Sequence, residues 1–245
     1  IDTGDEIQLL ADSFNEMKKE ILATEQMRKE IVANVSHELR TPLTSIIGFI
    51  KGILDGVIPK DEEDKYLSIA YEEANRLKEL TKDIVDVAKL ESGNMKLNKE
   101  NFVLNNLVHD VYIELEDMVK EKNLDFILEE KDKNILINAD KARIRQVLIN
   151  ILNNSVKFTE KGSITISIEK VNEKAKITVK DTGIGIQKDK ISYLFNKFYT
   201  ANDYGSATSG AGLGLNIVKT IIDMHKGEVN IESEVNKGTT VTVIL

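Results

Sequence analysis

Apolar side chains recur at steps of three and four residues through the start of the chain, the spacing of an amphipathic helix with a coiled-coil seam. They are Ile7, Leu10, Phe14, Met17 and Ile21, then Ile31, Val35, Leu39, Leu43, Ile46, Ile50, Ile53 and Val57. The second series opens with three steps of four. This stutter locally unwinds a coiled coil, and it falls on the segment that carries Pro42.

A turn at residues 56–61 ends this helix, and a second helical pattern runs from there to Ser92 and Gly93. Its apolar or small positions are Leu67, Ala70, Ala74, Leu77, Thr81, Ile84 and Ala88. Two helices cannot bury seams this long against each other alone. We therefore predict an antiparallel helical hairpin that forms a four-helix bundle with a second copy, in a homodimer.

Beyond Met95 the pattern alternates between helical segments, near 104–121 and 142–158, and β-branched runs. Two pairs of runs have the period of strands and are joined by turn residues, so they predict β-hairpins. The first is 163–168 with 176–179, joined through Asn172 and Glu173, and the second is 228–234 with 239–245. The predicted class is α+β, with a mixed sheet that has helices on one face.

Composition excludes several classes of protein. Of 245 residues, 41% are hydrophobic and 30% charged, and the mean hydropathy is −0.23, values expected of a soluble chain. The 33 basic residues against 41 acidic ones give a net charge of −8, which predicts no nucleic-acid or anionic-lipid partner. The absence of cysteine excludes disulfides and thiolate sites. No apolar run reaches the roughly 18 residues of a membrane span, and a first residue Ile1 inside a helical pattern leads us to expect part of a longer protein.

The segment 36–43 reads Ser-His-Glu-Leu-Arg-Thr-Pro-Leu and is the first candidate for chemistry. Its proline costs about 3 kcal/mol inside a helix. On a helical wheel His37 lies roughly 160° from the apolar stripe, so its ring is predicted to face water. A neutral imidazole is a nucleophile near neutral pH, and the adjacent Glu38 carboxylate could orient it. We expect the other two histidines at the surface or the edge of the core: His109 and His225.

The helical pattern at 142–158 is the second candidate. Asn150, Asn154 and Lys157 are four and three residues apart, so they share one face among apolar neighbours. Asparagine is a poor helix former, so two of them on one face suggest a functional role. A buried hydrogen-bonded pair is the structural alternative. An amide oxygen can ligate a magnesium ion that bridges phosphates, and a lysine at this spacing can meet the same phosphates.

Two glycine-bearing segments follow, Asp-Thr-Gly-Ile-Gly-Ile at 181–186 and Ser-Gly-Ala-Gly-Leu-Gly-Leu at 209–215. Neither is a P-loop or a dinucleotide fingerprint. The second precedes an apolar helical pattern, so it would place bare backbone N–H groups at a helix amino terminus, which suits phosphate. Each segment alone is equally compatible with a structural turn.

Together these motifs resemble those of the sensor histidine kinases of two-component systems. Residues 36–43 look like the H box, 150–159 the N box, 181–186 the first glycine box, 195–199 the F box and 210–215 the second glycine box. Residues 2–17 are similar to the closing helix of a HAMP linker, which implies that the chain is the cytoplasmic portion of a bacterial membrane receptor. The implied domains are a HAMP-like helix at 1–23, a dimerisation and phosphotransfer domain at 24–93, and an ATP-binding α/β sandwich of the gyrase, chaperone and histidine-kinase type at 94–245.

The resemblance also implies a role for each matching residue. His37 would accept the γ-phosphoryl group of ATP, with Glu38 as base or orienting partner, and would pass it to an aspartate of a response-regulator receiver domain. Asn154 would hold Mg²⁺, Lys157 would meet phosphate and Asp181 would receive the adenine amino group. The other implied nucleotide-binding positions are Gly183, Gly185, Ile186, Gly212, Leu213, Gly214 and, through water, Thr239. The implied lid runs over 199–209, packed by Phe195 and Phe198.

Two details of the resemblance bear on activity. Glu38 and Thr41 fit the pattern that in this family accompanies dephosphorylation of the response regulator, so Thr41 would position the attacking water. The family often has a basic residue at the position of Thr200, and no Lys or Arg lies between Lys197 and Lys219. This departure puts the transfer rate, rather than nucleotide binding, in question.

Two alternatives belong to other classes. ATP hydrolases with the same nucleotide fold place a glutamate four residues before the magnesium asparagine, where this chain has Asn150, and an amide cannot accept the proton. A catalytically silent dimeric scaffold is the second alternative. Intact His37, Glu38 and Asn154 argue against it, and only Thr200 supports it.

Overall fold

The computed structural model describes residues 6–91, 96–197, 199 and 212–245, and the chain divides into two compact units, Ile1–Leu80 and Thr81–Leu245. Over these described ranges, no helix has both the length and the apolar character needed to cross a membrane. The domain boundaries predicted from the sequence stay predictions.

The first unit is a helical hairpin, as predicted. Helix α1 spans Glu6–Leu54 and helix α2 spans Glu63–Glu91, whose last turns belong to the second unit. At the turn, Gly52 O accepts hydrogen bonds from Val57 N and Ile58 N, at 2.9 and 3.0 Å. Helix α1 continues through Pro42, which is buried, so the proline does not end it.

The apolar seam of α1 is open in the single chain. Leu10, Phe14, Met17 and Ile21 are 68, 65, 58 and 56% exposed. At about 25 cal/mol per Å² of apolar surface, leaving such a stripe in water costs several kcal/mol. The exposed stripe is what the predicted bundle with a second copy would cover.

The second unit contains a sheet with helices on one face, which confirms the predicted α+β class. Its helices are α3 (Leu104–Glu121), α4 (Lys141–Phe158) and α5 (Gly214–Met224). Its strands are β1 (Glu100–Val103), β2 (Asp125–Glu130), β3 (Leu136–Ala139), β4 (Ser163–Val171), β5 (Lys174–Asp181), β6 (Glu228–Glu234) and β7 (Gly238–Ile244). The main sheet has the order β2-β4-β5-β7-β6, with β2 parallel to β4 and the other pairs antiparallel, while β1 and β3 form a separate antiparallel pair.

Both predicted hairpins are present. Asn172 and Glu173 join β4 to β5 with φ of 48° and 64°, the two left-handed residues of a tight hairpin turn. Alternate residues of the strands then face the helices, and they are fully or almost fully buried: Ile164, Ile166, Ile168, Ile177 and Val179. Apolar residues of the three helices complete this core, among them Val111, Leu148, Ile151, Ile217 and Ile221.

The amino terminus of α4 is fixed from three sides. Asp140 caps the helix, with Oδ1 accepting from Arg143 N at 3.1 Å and Oδ2 accepting from Asn98 N at 2.9 Å. Asp86, near the end of α2, accepts from Gln146 Nε2 at 2.8 Å and from Arg143 Nη1 at 3.3 Å. These bonds hold the helix that carries the N-box residues.

The two remaining histidines lie where the sequence predicted. His109 is exposed on α3, and His225 is half-buried at the end of α5. His225 Nε2 accepts a hydrogen bond from the backbone N–H of Asp140 at 3.0 Å, while Nδ1 lies 2.8 Å from Ile221 O. The ring therefore serves packing between α4 and α5.

We expect Gly238→Ala to lower the free energy of unfolding by about 2 kcal/mol, because Gly238 has a φ of 105° and an added Cβ would meet the Asp181 carbonyl group. Gly214→Ala is the matched control. A Cβ at Gly214 would have its nearest contact at 3.8 Å, and the change should alter stability by less than about 0.5 kcal/mol. Urea unfolding of both variants measures the difference, and equal midpoints would contradict the expectation.

Candidate functional site

The H-box segment lies on α1 as the helical wheel predicted. His37 is exposed and Glu38 is half-buried. The Thr41 hydroxyl donates to His37 O at 3.3 Å, so it lies against the backbone one turn above the histidine. In the described part of the chain no hydrogen bond holds the imidazole ring, which leaves its nitrogens accessible.

Asp181, at the end of β5, is the centre of the second group of predicted residues. It is 6% exposed. Its Oδ1 accepts from the backbone N–H groups of Gly183 and Thr239, each at 3.0 Å, and its Oδ2 accepts from the Ser155 hydroxyl at 3.2 Å. Burial raises the pKa of the Asp181 carboxyl, and the three hydrogen bonds oppose that rise.

The predicted positions Ile186 and Thr239 join this centre through their backbones. Ser233 Oγ accepts from Ile186 N at 2.8 Å and donates to Gly238 O at 2.9 Å. It also lies 2.9 Å from the Thr239 hydroxyl. Thr239 thus reaches Asp181 by its N–H, while its side chain is tied to Ser233.

Gly183 and Gly185 are needed by the fold itself. A Cβ at Gly183 would collide with Phe158 O, and one at Gly185, whose φ is 66°, would collide with Glu234 O. The resemblance implied close passage of these glycines to a base. The atoms that they approach in this structure belong to the backbone of α4 and β6, so close packing of the loop accounts for both glycines.

The three polar residues of α4 divide into different roles. Asn150 Nδ2 donates to Gly214 O at 3.3 Å and so links α4 to the start of α5. Asn154 is half-buried, one residue before the Ser155 that contacts Asp181. The Lys157 ammonium lies 5.0 Å from the centroid of the Phe158 ring. The fold therefore brings the N box beside the first glycine box.

The amino terminus of α5 carries the end of the second glycine box. Gly212 has a φ of 65°, Leu213 is buried, and Gly214 begins the helix without a side-chain cap at Leu213. A helix start with uncapped N–H groups attracts anions. Gly210 lies outside the described residues.

The F-box segment is attached to α5. Asn216 Nδ2 donates to Phe195 O at 2.9 Å, and burial lowers the pKa of the Lys197 ammonium. Phe198 and residues 200–211, which include Thr200 and most of the predicted lid, lie outside the described residues.

The donor set suits a nucleotide with magnesium better than a metal held by protein alone. Among the described residues, no group of three or more His, Cys, Asp or Glu side chains is placed to hold a metal. Mg²⁺ keeps several waters and takes one or two protein oxygens plus phosphates, which the amide of Asn154 fits. The Thr159 hydroxyl, which follows α4, is fully buried without a hydrogen-bond partner in the described chain. It therefore leaves an unused hydrogen-bonding group beside the Asp181 loop.

Sequence reasoning missed Ser155 and Ser233. Each is a small hydroxyl residue inside a regular element, Ser155 on α4 and Ser233 on β6, and Ser155 is 3% exposed. A hydroxyl on the buried face of a helix is the available signal, because such a group needs a partner. The identity of that partner depends on a strand 26 residues away along the chain.

Comparisons with known proteins agree with this geometry. Residues 27–93 match the family model of the His Kinase A (phospho-acceptor) domain, and residues 139–245 match that of the histidine kinase-, DNA gyrase B- and HSP90-like ATPase. Sensor histidine kinase YclK of Bacillus subtilis (strain 168) is 38% identical over 96% of this chain, which spans 52% of YclK. The chain thus covers about half the length of that relative.

Solved structures show the same fold. The Acinetobacter baumannii histidine kinase AdeS matches with a TM-score of 0.70 and 28% identity, over 85% of this chain and 96% of AdeS. Histidine kinase ThkA, crystallised with the response regulator protein TrrA, matches with a TM-score of 0.72 and 28% identity, over 98% of this chain and 67% of ThkA. A phospho-acceptor hairpin followed by an ATPase-type domain is the arrangement shared by these proteins, and this chain belongs to the sensor histidine kinase family.

Proposed function

We propose that the chain is the kinase core of a two-component sensor, which transfers the γ-phosphoryl group of ATP to His37 and from there to an aspartate of a response regulator. In the first step a ring nitrogen of His37 attacks the γ-phosphorus. A phosphorus–nitrogen bond forms, the bond to the bridging oxygen of ADP breaks, and the imidazole loses its remaining N–H proton, with Glu38 as the acceptor or orienting group.

The contact of Ser155 with Asp181 is the observation that carries this proposal. It supports the proposal because Asn154 and Lys157 lie on the same helix as Ser155, one residue before it and two after it, so the groups proposed for magnesium, phosphate and adenine would share one site. Bound Mg²⁺ would neutralise developing phosphate charge. Asn154 would hold it, Lys157 would meet phosphate, and the α5 start at Gly212, Leu213 and Gly214 would offer N–H groups.

The partners follow from the same family. We infer a homodimer through the open seam of α1, and a response regulator as the phosphoryl acceptor, the kind of protein found in complex with ThkA. Thr41 would position water for dephosphorylation of that partner. Residues 1–23 would be the end of a HAMP-like linker from a membrane receptor.

Hydrolysis of ATP as the main activity is disfavoured by the position of Asn150. Its amide donates to Gly214 O, so it serves the junction of two helices and offers no base for water.

The test is incubation of the chain with γ-labelled ATP and magnesium, followed by treatment of the labelled protein with acid or base. We expect label that acid removes and base does not, because a phosphorus–nitrogen bond to histidine has this stability. Asn154→Ala should lose the label. Asn153→Ala, the exposed neighbour on the same helix, should keep it. Absence of label despite nucleotide binding would favour the silent scaffold.

A further inference from the structure

The Asp181 carboxylate has nearly all of its acceptor positions used by the protein. An ionised carboxylate offers about four lone-pair positions, two on each oxygen. The N–H groups of Gly183 and Thr239 occupy Oδ1, and the hydroxyl of Ser155 occupies one position on Oδ2. Among the donors of the described chain, none reaches the second position on Oδ2.

The three donors are not equivalent. Two are backbone groups, which no side-chain substitution removes, whereas the third is a side chain of α4. Ser155 is 3% exposed, so bulk water cannot replace its hydroxyl readily. Its donated hydrogen bond favours the ionised carboxylate and works against the burial that raises the pKa of Asp181.

We infer that Ser155 is a specificity-determining positioning residue, whose hydroxyl leaves Asp181 Oδ2 with a single acceptor position for the exocyclic amino group of a purine. This inference rests on the proposed ATP site and adds a residue to it. An amino group at purine C6 donates to that position. A carbonyl at C6 would set two acceptors against each other, and a hydrogen at C6 would leave the position unused.

Removal of the hydroxyl changes this discrimination. In Ser155→Ala, Oδ2 has two open positions and the carboxylate has lost its side-chain donor. Protonation of Asp181 then becomes easier, and a protonated oxygen donates to a C6 carbonyl instead of accepting from a C6 amino group. Selectivity for the amino group should therefore fall.

The experiment measures the dissociation constants of ATP, purine riboside triphosphate and inosine triphosphate for the full chain with magnesium. These three ligands carry an amino group, a hydrogen and a carbonyl at C6. For Ser155→Ala we expect ATP to bind about tenfold more weakly, while purine riboside triphosphate changes by less than about twofold. The preference for ATP over inosine triphosphate should fall by about tenfold or more.

Ser155→Thr and Ser167→Ala are the controls. Threonine keeps the hydroxyl, so its ratios between ligands should match the wild type even if the added methyl weakens all three ligands equally. Ser167 lies on β4 and makes no contact with Asp181, so its variant should leave all three constants unchanged. Equal weakening of the three ligands in Ser155→Ala would overturn the inference and leave Ser155 a packing residue. Failure of the wild type to bind any of them would instead refute the proposed function.

Discussion

Replacement of His37 by glutamine should abolish the acid-labile label that forms from γ-labelled ATP, while the affinity for ATP stays unchanged. Glutamine keeps polarity and hydrogen-bonding capacity, but its amide nitrogen is no nucleophile for phosphorus. His37 is exposed on α1, and it lies in the first compact unit, whereas Asp181 and Asn154 belong to the second. The substitution therefore removes the acceptor and leaves the nucleotide site intact.

Two controls show whether a loss of label reflects loss of the phosphoacceptor or loss of folding: the thermal stability of the variant, and the substitution of a second exposed histidine. Substitution of an exposed residue usually shifts the free energy of unfolding by less than about 0.5 kcal/mol, so thermal melts of His37→Gln should overlay the wild type. His109→Gln changes an exposed histidine on α3 and should keep full labelling. Persistent acid-labile label in His37→Gln would identify a different phosphoacceptor.

The sequence was sufficient for the long elements because their periodicity is local. Helices α1 and α2 follow from steps of three and four, and the two hairpins follow from alternation around a two-residue turn at Asn172 and Glu173. Strands β1, β2 and β3 were missed. Strands β1 and β3 have four residues each and pair with each other across α3 and β2, while β2 pairs with β4 across α4, so none of the three has a local partner.

In the candidate site too, features that depend on neighbouring residues were predicted, and contacts between residues far apart in the sequence were not. The exposure of His37 follows from its position on a helical wheel, which needs only neighbouring residues. The donation from Ser155 to Asp181, and that from Asn150 to Gly214, join residues 26 and 64 positions apart. The spacing correctly put Asn150 and Asn154 on one helix, α4. Asn150, however, links α4 to the start of α5, which only the packing of α5 on α4 shows.

Asp181→Asn should weaken ATP binding by about 3 kcal/mol, which is about a hundredfold in the dissociation constant. The asparagine oxygen can still accept from Gly183 and Thr239, which places its NH₂ group where Oδ2 stood. The Ser155 hydroxyl can reorient to accept from that NH₂ group, but the proposed adenine amino group cannot, so donor meets donor at the ligand in a buried site. Label on His37 should fall in proportion at ATP concentrations below the new dissociation constant.

The folding of this variant should survive, which makes the binding result interpretable. Because burial raises the pKa of Asp181, its charged form is disfavoured in the folded state relative to the unfolded state, and stability falls as pH rises through that range. A neutral amide removes this penalty and offsets part of the lost hydrogen bonding, so the free energy of unfolding at neutral pH should change by no more than about 1 kcal/mol.

Asp189→Asn, at an exposed position in the segment that follows, should bind ATP as the wild type does. Titration calorimetry of both variants decides the matter, and wild-type affinity in a folded Asp181→Asn protein would show that the purine amino group does not depend on this carboxylate.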